Sequence, residues 1–187
     1  MKHLASAAAL SSAALSSAAL SSAALSSAAL SSMLRMRSTF RRGMWTTELR
    51  MHVDAETVWS VITDVQSWPR WGPTVSDARV DGDSGLTAGS RGTVTTAVGL
   101  SLPFEITEFV EGRLWAWKVA GVSATRHEVI EVPGGCVLSF GAPVWAAGYL
   151  PVLAIALPRI ERISVERAHL GGSASEGAWI ADQDGGM

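Results

Sequence analysis

The sequence of 187 residues lacks several features that mark common functional classes. Its single cysteine, Cys136, excludes an internal disulfide framework, and its place between a Pro-Gly-Gly turn and a strand-like segment favours an inert, buried thiol. The four histidines are dispersed without metal-ligand spacing, and no glycine-rich phosphate loop is present, so no metal and no cofactor are expected. The net charge of −2 gives no reason to expect a nucleic-acid partner.

Catalytic motifs are also scarce. The sequence GDSG at 82–85 looks like the serine motif of a chymotrypsin-like protease, but His52 precedes Ser84 by too few residues for such a fold, so the motif is interpreted as a turn. The strand-turn-helix serine motif of hydrolases is absent from the sequence. No hydrolase of these two classes is therefore indicated.

Residues 1–43 differ from the rest of the chain in composition. From Ala5 to Ser32 the sequence repeats every five residues and contains only Ala, Leu and Ser. Because five residues turn a helix by about 500°, successive leucines spiral around the axis and no apolar stripe forms. We predict that 1–43, which ends in the basic run RMRSTFRRG, is a disordered low-complexity segment with a solvated linker, or an upstream mis-start.

Periodic apolar patterns begin near Trp45 and predict a folded domain over 44–167. The alternation in WTTELRMHV predicts a half-buried strand, and Asp54 then caps a stretch whose apolar residues recur at helical spacing. Pro69 bends or ends this stretch, which gives a pair of short helices. After Pro73, glycine-rich turn signals at regular intervals predict five or six short antiparallel strands.

Residues 136–158 carry no charge and are long enough to be considered as a transmembrane helix. Glycines and prolines interrupt them, however, and their first part completes the strand pattern. We favour a long buried helix, kinked at Pro158, over a membrane span. This favours a cytoplasmic protein without membrane contact, with membrane association as the alternative. The tail, 168–187, is predicted to be disordered.

Several segments resemble one known family. The opening HVDAETVWSVITDVQSWPRWGPTV is similar to that of the polyketide cyclase/dehydrase and lipid-transport family, part of the START-like, Bet v 1-like helix-grip superfamily (SRPBCC). GSRGTVTT, PFEITEFVEGRLWAWKVAGV, ATRHEVIEVPGGCVLSF and the final helix follow in the family's order. The resemblance implies an α+β helix-grip fold, in which a curved antiparallel sheet wraps around a long C-terminal helix, with two short helices after the first strand.

The resemblance also gives a reason for two tryptophans and two prolines at 64–75. In the family's fold the short helices support one end of the sheet, so Trp68 and Trp71 are interpreted as a rigid wedge against the long helix. The alternative is that Trp71 contacts a ligand.

Strand parity predicts which side chains face the helix. Pairing Glu131 with Cys136 across the Pro-Gly-Gly turn places His127 opposite Phe140, on an otherwise apolar face. A three-residue loop at 121–123 would bring Trp117 onto the same face. The predicted ligand-binding residues are Phe104, Ile106, Trp117, Thr125, His127, Val129, Leu138, Phe140, Tyr149 and Leu153.

Two functions remain open for this face. One is a non-enzymatic binder of a small hydrophobic molecule, such as a lipid, quinone or polyketide-like ring compound, in a cavity between the sheet and the last helix. The other is a cyclase/dehydratase-type enzyme in which His127 is the candidate acid or base and Thr125 or Tyr149 orients the substrate. A third reading of His127 is a core histidine satisfied by a backbone carbonyl or by Tyr149. The ligand and the oligomeric state are left open.

Overall fold

The structure, a computed structural model, describes residues 31–32, 34–41, 43–82 and 85–183, with side chains in the last helix as far as Gly171. The repeat up to residue 30 lies outside the described residues, and so do the end of the tail at 184–187 and two residues of the turn at 82–85.

The described elements are a strand pair, a helix pair, a six-strand meander and a long helix. In chain order they are β1 (Met36–Arg41), β2 (Met44–Met51), α1 (Ala55–Thr63), a 3-10 turn (Val65–Ser67), α2 (Trp68–Trp71), β3 (Val75–Val80), β4 (Arg91–Thr96), β5 (Ser101–Val110), β6 (Leu114–Val119), β7 (Val122–Val132), β8 (Gly135–Pro143), a second 3-10 segment (Val144–Tyr149) and α3 (Leu150–Gln183).

These strands form one antiparallel sheet in the order β1-β2-β8-β7-β6-β5-β4-β3. The helix α3 packs against β2 and β8 and also contacts α1 and α2. This arrangement confirms the predicted α+β helix-grip fold, with a curved antiparallel sheet, two short helices and a long C-terminal helix.

The helix pair forms where the sequence signals predicted it. The backbone N–H of Thr57 donates to Asp54 Oδ1 at 2.6 Å, which satisfies one of the free donors at the start of α1. Asp64 ends α1, and its carboxylate accepts from the Gln66 backbone and the Ser67 hydroxyl. The chain therefore turns sharply into α2, whose start carries Pro69 in the first turn, where a missing N–H costs nothing.

The β7–β8 hairpin has the predicted register. Glu131 pairs with Cys136 and His127 with Phe140. At the end of this turn Gly135 has φ of 147°, and a Cβ there would lie 2.1 Å from the backbone oxygen of Met51. Only glycine allows β2 to approach this closely.

The β6–β7 connection differs from the prediction. Its turn has two residues, Ala120 and Gly121, both with positive φ, because a type I′ geometry matches the twist of the strands. A bulge then places two residues of β7 opposite Trp117, so Trp115 rather than Trp117 lies opposite His127. The bulge restores the side-chain parity that a regular two-residue hairpin would have lost.

The fold extends beyond the predicted boundaries at both ends. Part of the segment interpreted as a linker forms β1, which pairs with β2, and just before it Arg35 forms an ion pair with Glu161 of α3 at 2.9 Å. Pairing with β2 stabilises β1 although most of its side chains remain exposed. At the other end α3 continues through Pro158 and past 168 to Gln183, where a disordered tail was predicted.

Within the described part of the chain, one helical segment, Val144–Gly171, is long and apolar enough to cross a membrane by length and composition, and 28% of its most apolar window is buried in the fold. Residues 136–143 of the uncharged run belong to β8 and not to this helix.

Candidate functional site

The core has two parts that differ in composition. Buried aliphatic side chains predominate where α3 crosses β2 and α1, and we call this group the aliphatic half: Leu49, Met51, Val58, Ile62, Leu157, Ile160 and Ile163. Rings predominate where α2 meets β5 to β8, and we call this group the aromatic half: Trp68, Trp71, Phe104, Trp115, Trp117, His127 and Phe140.

His127 lies within the aromatic half with only 2% of its surface exposed, as strand parity predicted. Its imidazole stacks on Trp115 with ring centroids 3.7 Å apart and meets Phe140 edge-on at 4.3 Å. Trp71 approaches from α2, with its ring centroid 6.4 Å from that of His127. Rings from the helix corner and from the two neighbouring strands therefore surround one imidazole.

A chain of polar contacts reaches His127 from the partly exposed Trp117. The indole Nε1 of Trp117 donates to Thr125 Oγ1 at 2.9 Å, and Thr125 Oγ1 lies 3.1 Å from His127 Nε2. Because the indole can only donate, the Thr125 hydroxyl accepts from it and has its own proton available for His127 Nε2. When Thr125 donates to Nε2, the neutral ring carries its proton on Nδ1; the hydroxyl has two acceptor sites, so the contact is also compatible with the opposite tautomer.

Three buried nitrogens of the aromatic half have no hydrogen-bond partner among the described residues: Trp71 Nε1, Trp115 Nε1 and His127 Nδ1. Most buried polar groups in proteins are satisfied, so two indole N–H groups and one imidazole nitrogen without partners in one ring cluster require an explanation. The indole nitrogens are donors in all cases, and Nδ1 is a third donor in the tautomer that accepts at Nε2.

Burial lowers the pKa of His127 from its usual 6.5 to about 3. The Trp115 backbone acts weakly in the opposite direction, although it forms no hydrogen bond of normal geometry with Nδ1. The imidazole is therefore neutral at physiological pH. Burial also raises the pKa of the Cys136 thiol to about 11, which fits the inert thiol predicted from the sequence.

The family model for polyketide cyclase / dehydrase and lipid transport matches residues 44–160. The chain belongs to this family. A comparison with curated proteins found no match.

Solved structures share the family's fold at low sequence identity. A protein from Nitrosomonas europaea superposes with a TM-score of 0.55 at 15% identity, covering 70% of this chain and 99% of that one. A conserved protein of unknown function from Enterococcus faecalis gives 0.51 at 11%, covering 73% and 80%. A protein from Mycobacterium smegmatis gives 0.51 at 17%, covering 72% and 97%. At these identities the likeness shows the fold alone.

Within the family's fold, the side chains predicted to bind ligand lie as follows. Six apolar ones are buried in the core: Phe104, Ile106, Val129, Leu138, Phe140 and Leu153. Thr125 and Trp117 join His127 in the polar chain described above. Tyr149 is separate from it, because its hydroxyl bonds the Thr74 hydroxyl at 2.6 Å, so it is not the hydrogen-bond partner of His127 in this structure.

The prediction omitted Trp115, the residue that stacks on His127. The signal was present in the sequence, since Trp115 lies two residues before Trp117 on the same strand and therefore shares its parity. What the sequence did not show was the β7 bulge, which places Trp115 and not Trp117 opposite the imidazole.

An open depression of about 680 Å³ lies at the β7–β8 turn and the start of α1, away from all the predicted residues. It is lined by 52–55 and 131–135. Among residues that the structure describes, no group of three His, Cys, Asp or Glu side chains could hold a metal ion.

Proposed function

We propose that this protein binds a small apolar molecule carrying a hydrogen-bond acceptor, such as a lipid, a quinone or a polyketide-like ring compound, in the aromatic half of the core. The observation that carries the proposal is the group of three unpartnered nitrogens in the aromatic half: the indole N–H donors of Trp71 and Trp115, and Nδ1 of His127. A carbonyl or ether oxygen could accept from them, and the surrounding rings would contact the apolar body.

The electrostatics favour a neutral ligand. His127 is neutral because burial disfavours its charged form, and the described aromatic half contains no arginine or lysine side chain. A buried anion without a paired cation is costly, so a carboxylate is a poor match for this position. A ketone or quinone oxygen matches the donors without that cost.

Space for the ligand requires movement. The rings of the aromatic half are in mutual contact, as the 3.7 Å stack of Trp115 on His127 illustrates. A ligand can therefore enter only where side chains rotate or where α3 moves away from the sheet. The partly exposed Trp117, at the outer end of the polar chain, is the side chain we expect to move first.

The enzyme alternative has weaker support. A general acid or base works best when its pKa is near the working pH, whereas the pKa of His127 is lowered to about 3. The ring is then uncharged at neutral pH, and it is a weak base. Tyr149, the proposed orienting partner, is engaged with Thr74. Binding without catalysis is therefore the function we propose.

A pair of fluorescent probes tests the proposal: 6-propionyl-2-dimethylaminonaphthalene, which carries a ketone, and 2-dimethylaminonaphthalene, which lacks it. We expect the purified protein to bind the ketone roughly tenfold more tightly, the effect of about one good hydrogen bond to a buried donor. Trp115→Phe and Trp71→Phe keep a ring and remove a donor, so each should reduce this preference.

Trp59→Phe is the matched control. Trp59 is also a buried tryptophan, but its Nε1 donates to Glu111 at 2.7 Å, outside the aromatic half. This change should leave the ketone preference intact. Equal affinity of the wild-type protein for the two probes would overturn the acceptor proposal, and so would an equal loss of the preference in all three variants.

A further inference from the structure

The helix corner that carries Trp68 and Trp71 is bound on both of its sides by α3 and the segment that leads into it. We call residues 64–74, which comprise the 3-10 turn, α2 and the connection to β3, the tryptophan corner. Arg167 of α3 contacts this corner before α2, and Tyr149, just before α3, contacts it after α2. The corner therefore lies between two contacts that come from the same part of the chain.

The contact before α2 is made by the guanidinium of Arg167. It donates to Asp64 Oδ2 at 2.8 Å, to the Ser60 backbone oxygen and Oγ at 3.1 Å each, and to Ser67 Oγ at 3.4 Å. Helix α1 has no basic residue in its own last turn, so Arg167 supplies the cation that the carbonyl end of a helix favours. Asp64 also accepts from Ser67 and from the Gln66 backbone, so Arg167 contacts the residues that set the direction of α2.

The two contacts differ in how readily water can replace them. The side chains of Arg167 and Asp64 are 37% and 34% exposed. Ion pairs at this exposure contribute little to stability, because water and dissolved ions compete for both partners. Burial, in contrast, raises the pKa of Tyr149, whose hydroxyl bonds the Thr74 hydroxyl at 2.6 Å. The bond after α2 is therefore shielded, and the bonds before α2 are open to water.

The tryptophan corner supplies one of the three unpartnered nitrogens, and the sheet supplies the other two. Trp71 Nε1 comes from α2, whereas Trp115 Nε1 and His127 Nδ1 come from β6 and β7. The ring of Trp71 meets that of His127 edge-on, so an oxygen atom placed among all three nitrogens requires Trp71 to move relative to the sheet. Because α2 has only four residues, we expect Trp71 to move with the corner that Arg167 holds.

We propose that Arg167 is a latch for the aromatic half: its bonds hold the tryptophan corner closed, and their release controls how fast a ligand enters and leaves. The inference rests on the proposed binding function. In the open state water replaces the bonds of Arg167, while the shielded bond between Tyr149 and Thr74 remains. Arg167 is then a positioning residue, which acts through the corner and does not touch the ligand.

A purely structural role of Arg167 predicts a different result. Loss of a stabilising ion pair favours the unfolded chain, and this does not change how fast the folded protein admits a ligand. A latch that closes the free and the bound protein equally changes the rates of entry and exit by the same factor. The ratio of the two rate constants, and with it the affinity, then stays unchanged.

The test is stopped-flow fluorescence of the full chain with 6-propionyl-2-dimethylaminonaphthalene. We expect Arg167→Gln to raise the association and dissociation rate constants about fivefold each, the effect of one partly exposed ion pair, while Kd changes less than about twofold. Arg167→Lys keeps the charge with fewer donors, so its rate constants should lie between those of wild type and Arg167→Gln. Arg70→Gln, which removes the more exposed pair with Glu166 at 3.1 Å, should raise them less.

Two matched controls separate the latch from charge and from stability. Arg162 is exposed on the same helix and forms no ion pair with the described residues of the corner, so Arg162→Gln removes a cation without affecting the latch. Leu157→Ala lowers stability through the aliphatic half. Both variants should keep the rate constants of the wild type. Rate constants raised as much by Leu157→Ala as by Arg167→Gln would attribute the effect to lost stability and overturn the proposal.

Amide hydrogen exchange without ligand tests the latch separately from the proposed function. With Arg167→Gln, peptides from 60–72 should exchange about fivefold faster, and peptides from 126–141 should exchange at the wild-type rate. Unchanged exchange at 60–72, or unchanged probe kinetics despite faster exchange, would overturn the latch. Failure of the wild type to prefer the ketone probe would instead overturn the proposed function, and faster exchange at 60–72 would still support Arg167 as the residue that holds the corner closed.

Discussion

Where α3 crosses β2 and α1, the core is built from aliphatic side chains, whereas the part where α2 meets β5 to β8 is built from rings. The two halves belong to one continuous cluster, in which Trp117 is the partly exposed member of the aromatic half. They differ in polar content, because three of the four buried side-chain atoms without partners among the described residues lie in the aromatic half. The fourth, Ser164 Oγ, lies on α3.

This difference in polar content indicates that the two halves of the core serve different purposes. Unsatisfied buried donors reduce stability, and an aliphatic residue of similar size would avoid that cost. Positions where a sequence departs from the packing rules are commonly functional ones. The aliphatic half therefore contributes stability alone, whereas the aromatic half contributes stability and also carries the proposed binding function.

The largest expected effect on stability comes from removing the ring at the centre of the aromatic half. Trp68 has its ring in contact with four other rings and is 1% exposed, so Trp68→Ala should reduce the free energy of unfolding by about 3–5 kcal/mol. Leu157→Ala in the aliphatic half should cost about 2–5 kcal/mol. Urea unfolding measures both. A loss below about 1 kcal/mol for Trp68→Ala would mean that the rings contribute little stability.

The second prediction uses the pH dependence of stability to distinguish the two halves of the core. The pKa of His127 is about 3 in the folded state and 6.5 ordinarily, so the unfolded chain takes up a proton below 6.5 that the folded protein does not. Stability should therefore fall as pH falls from about 6.5 towards about 3, by at most about 1.4 kcal/mol per pH unit.

His127→Phe should keep the fold and remove this acid dependence. Urea midpoints at about pH 7 and about pH 5 measure it, with Leu157→Ala as the control that lowers stability at both pH values and keeps the dependence. If wild type and His127→Phe lose stability equally on acidification, the imidazole titrates like an exposed one and the site assignment fails.

The smallest expected effect distinguishes an indole N–H that forms a hydrogen bond from one that does not. Trp68 Nε1 donates to the Ile62 oxygen at 3.1 Å, whereas Trp71 Nε1 has no partner among the described residues. Trp68→Phe should therefore cost about 1 kcal/mol more than Trp71→Phe, the net value of one hydrogen bond. Thermal unfolding of the two variants measures the difference. Equal losses would indicate that Trp71 Nε1 is satisfied in solution.

The sequence predicted the parts of this molecule that local rules determine. Alternation and a short turn were sufficient to place His127 opposite Phe140, because a tight hairpin fixes register and register fixes the face. Asp54 marked the start of α1 for a similarly local reason, a cap bond within one turn.

Features that depend on distant partners were missed. Strand β1 has few buried side chains, so its stability comes from pairing with β2, which composition does not reveal. The bulge opposite Trp117 depends on how β7 meets its neighbour. The bond of Tyr149 to Thr74 joins residues far apart in sequence, and no local pattern predicts such a contact.

The sheet order has a consequence for how the chain folds during synthesis. β3 to β8 pair with their sequence neighbours, so these hairpins can form as soon as each strand has been made. β2, in contrast, must wait for β8, because Met51 finds its partner only at Cys136. Although β1 and β2 can pair early, β2 remains without its second neighbour until most of the domain has left the ribosome, and closing this long loop is expected to be the slow step of folding.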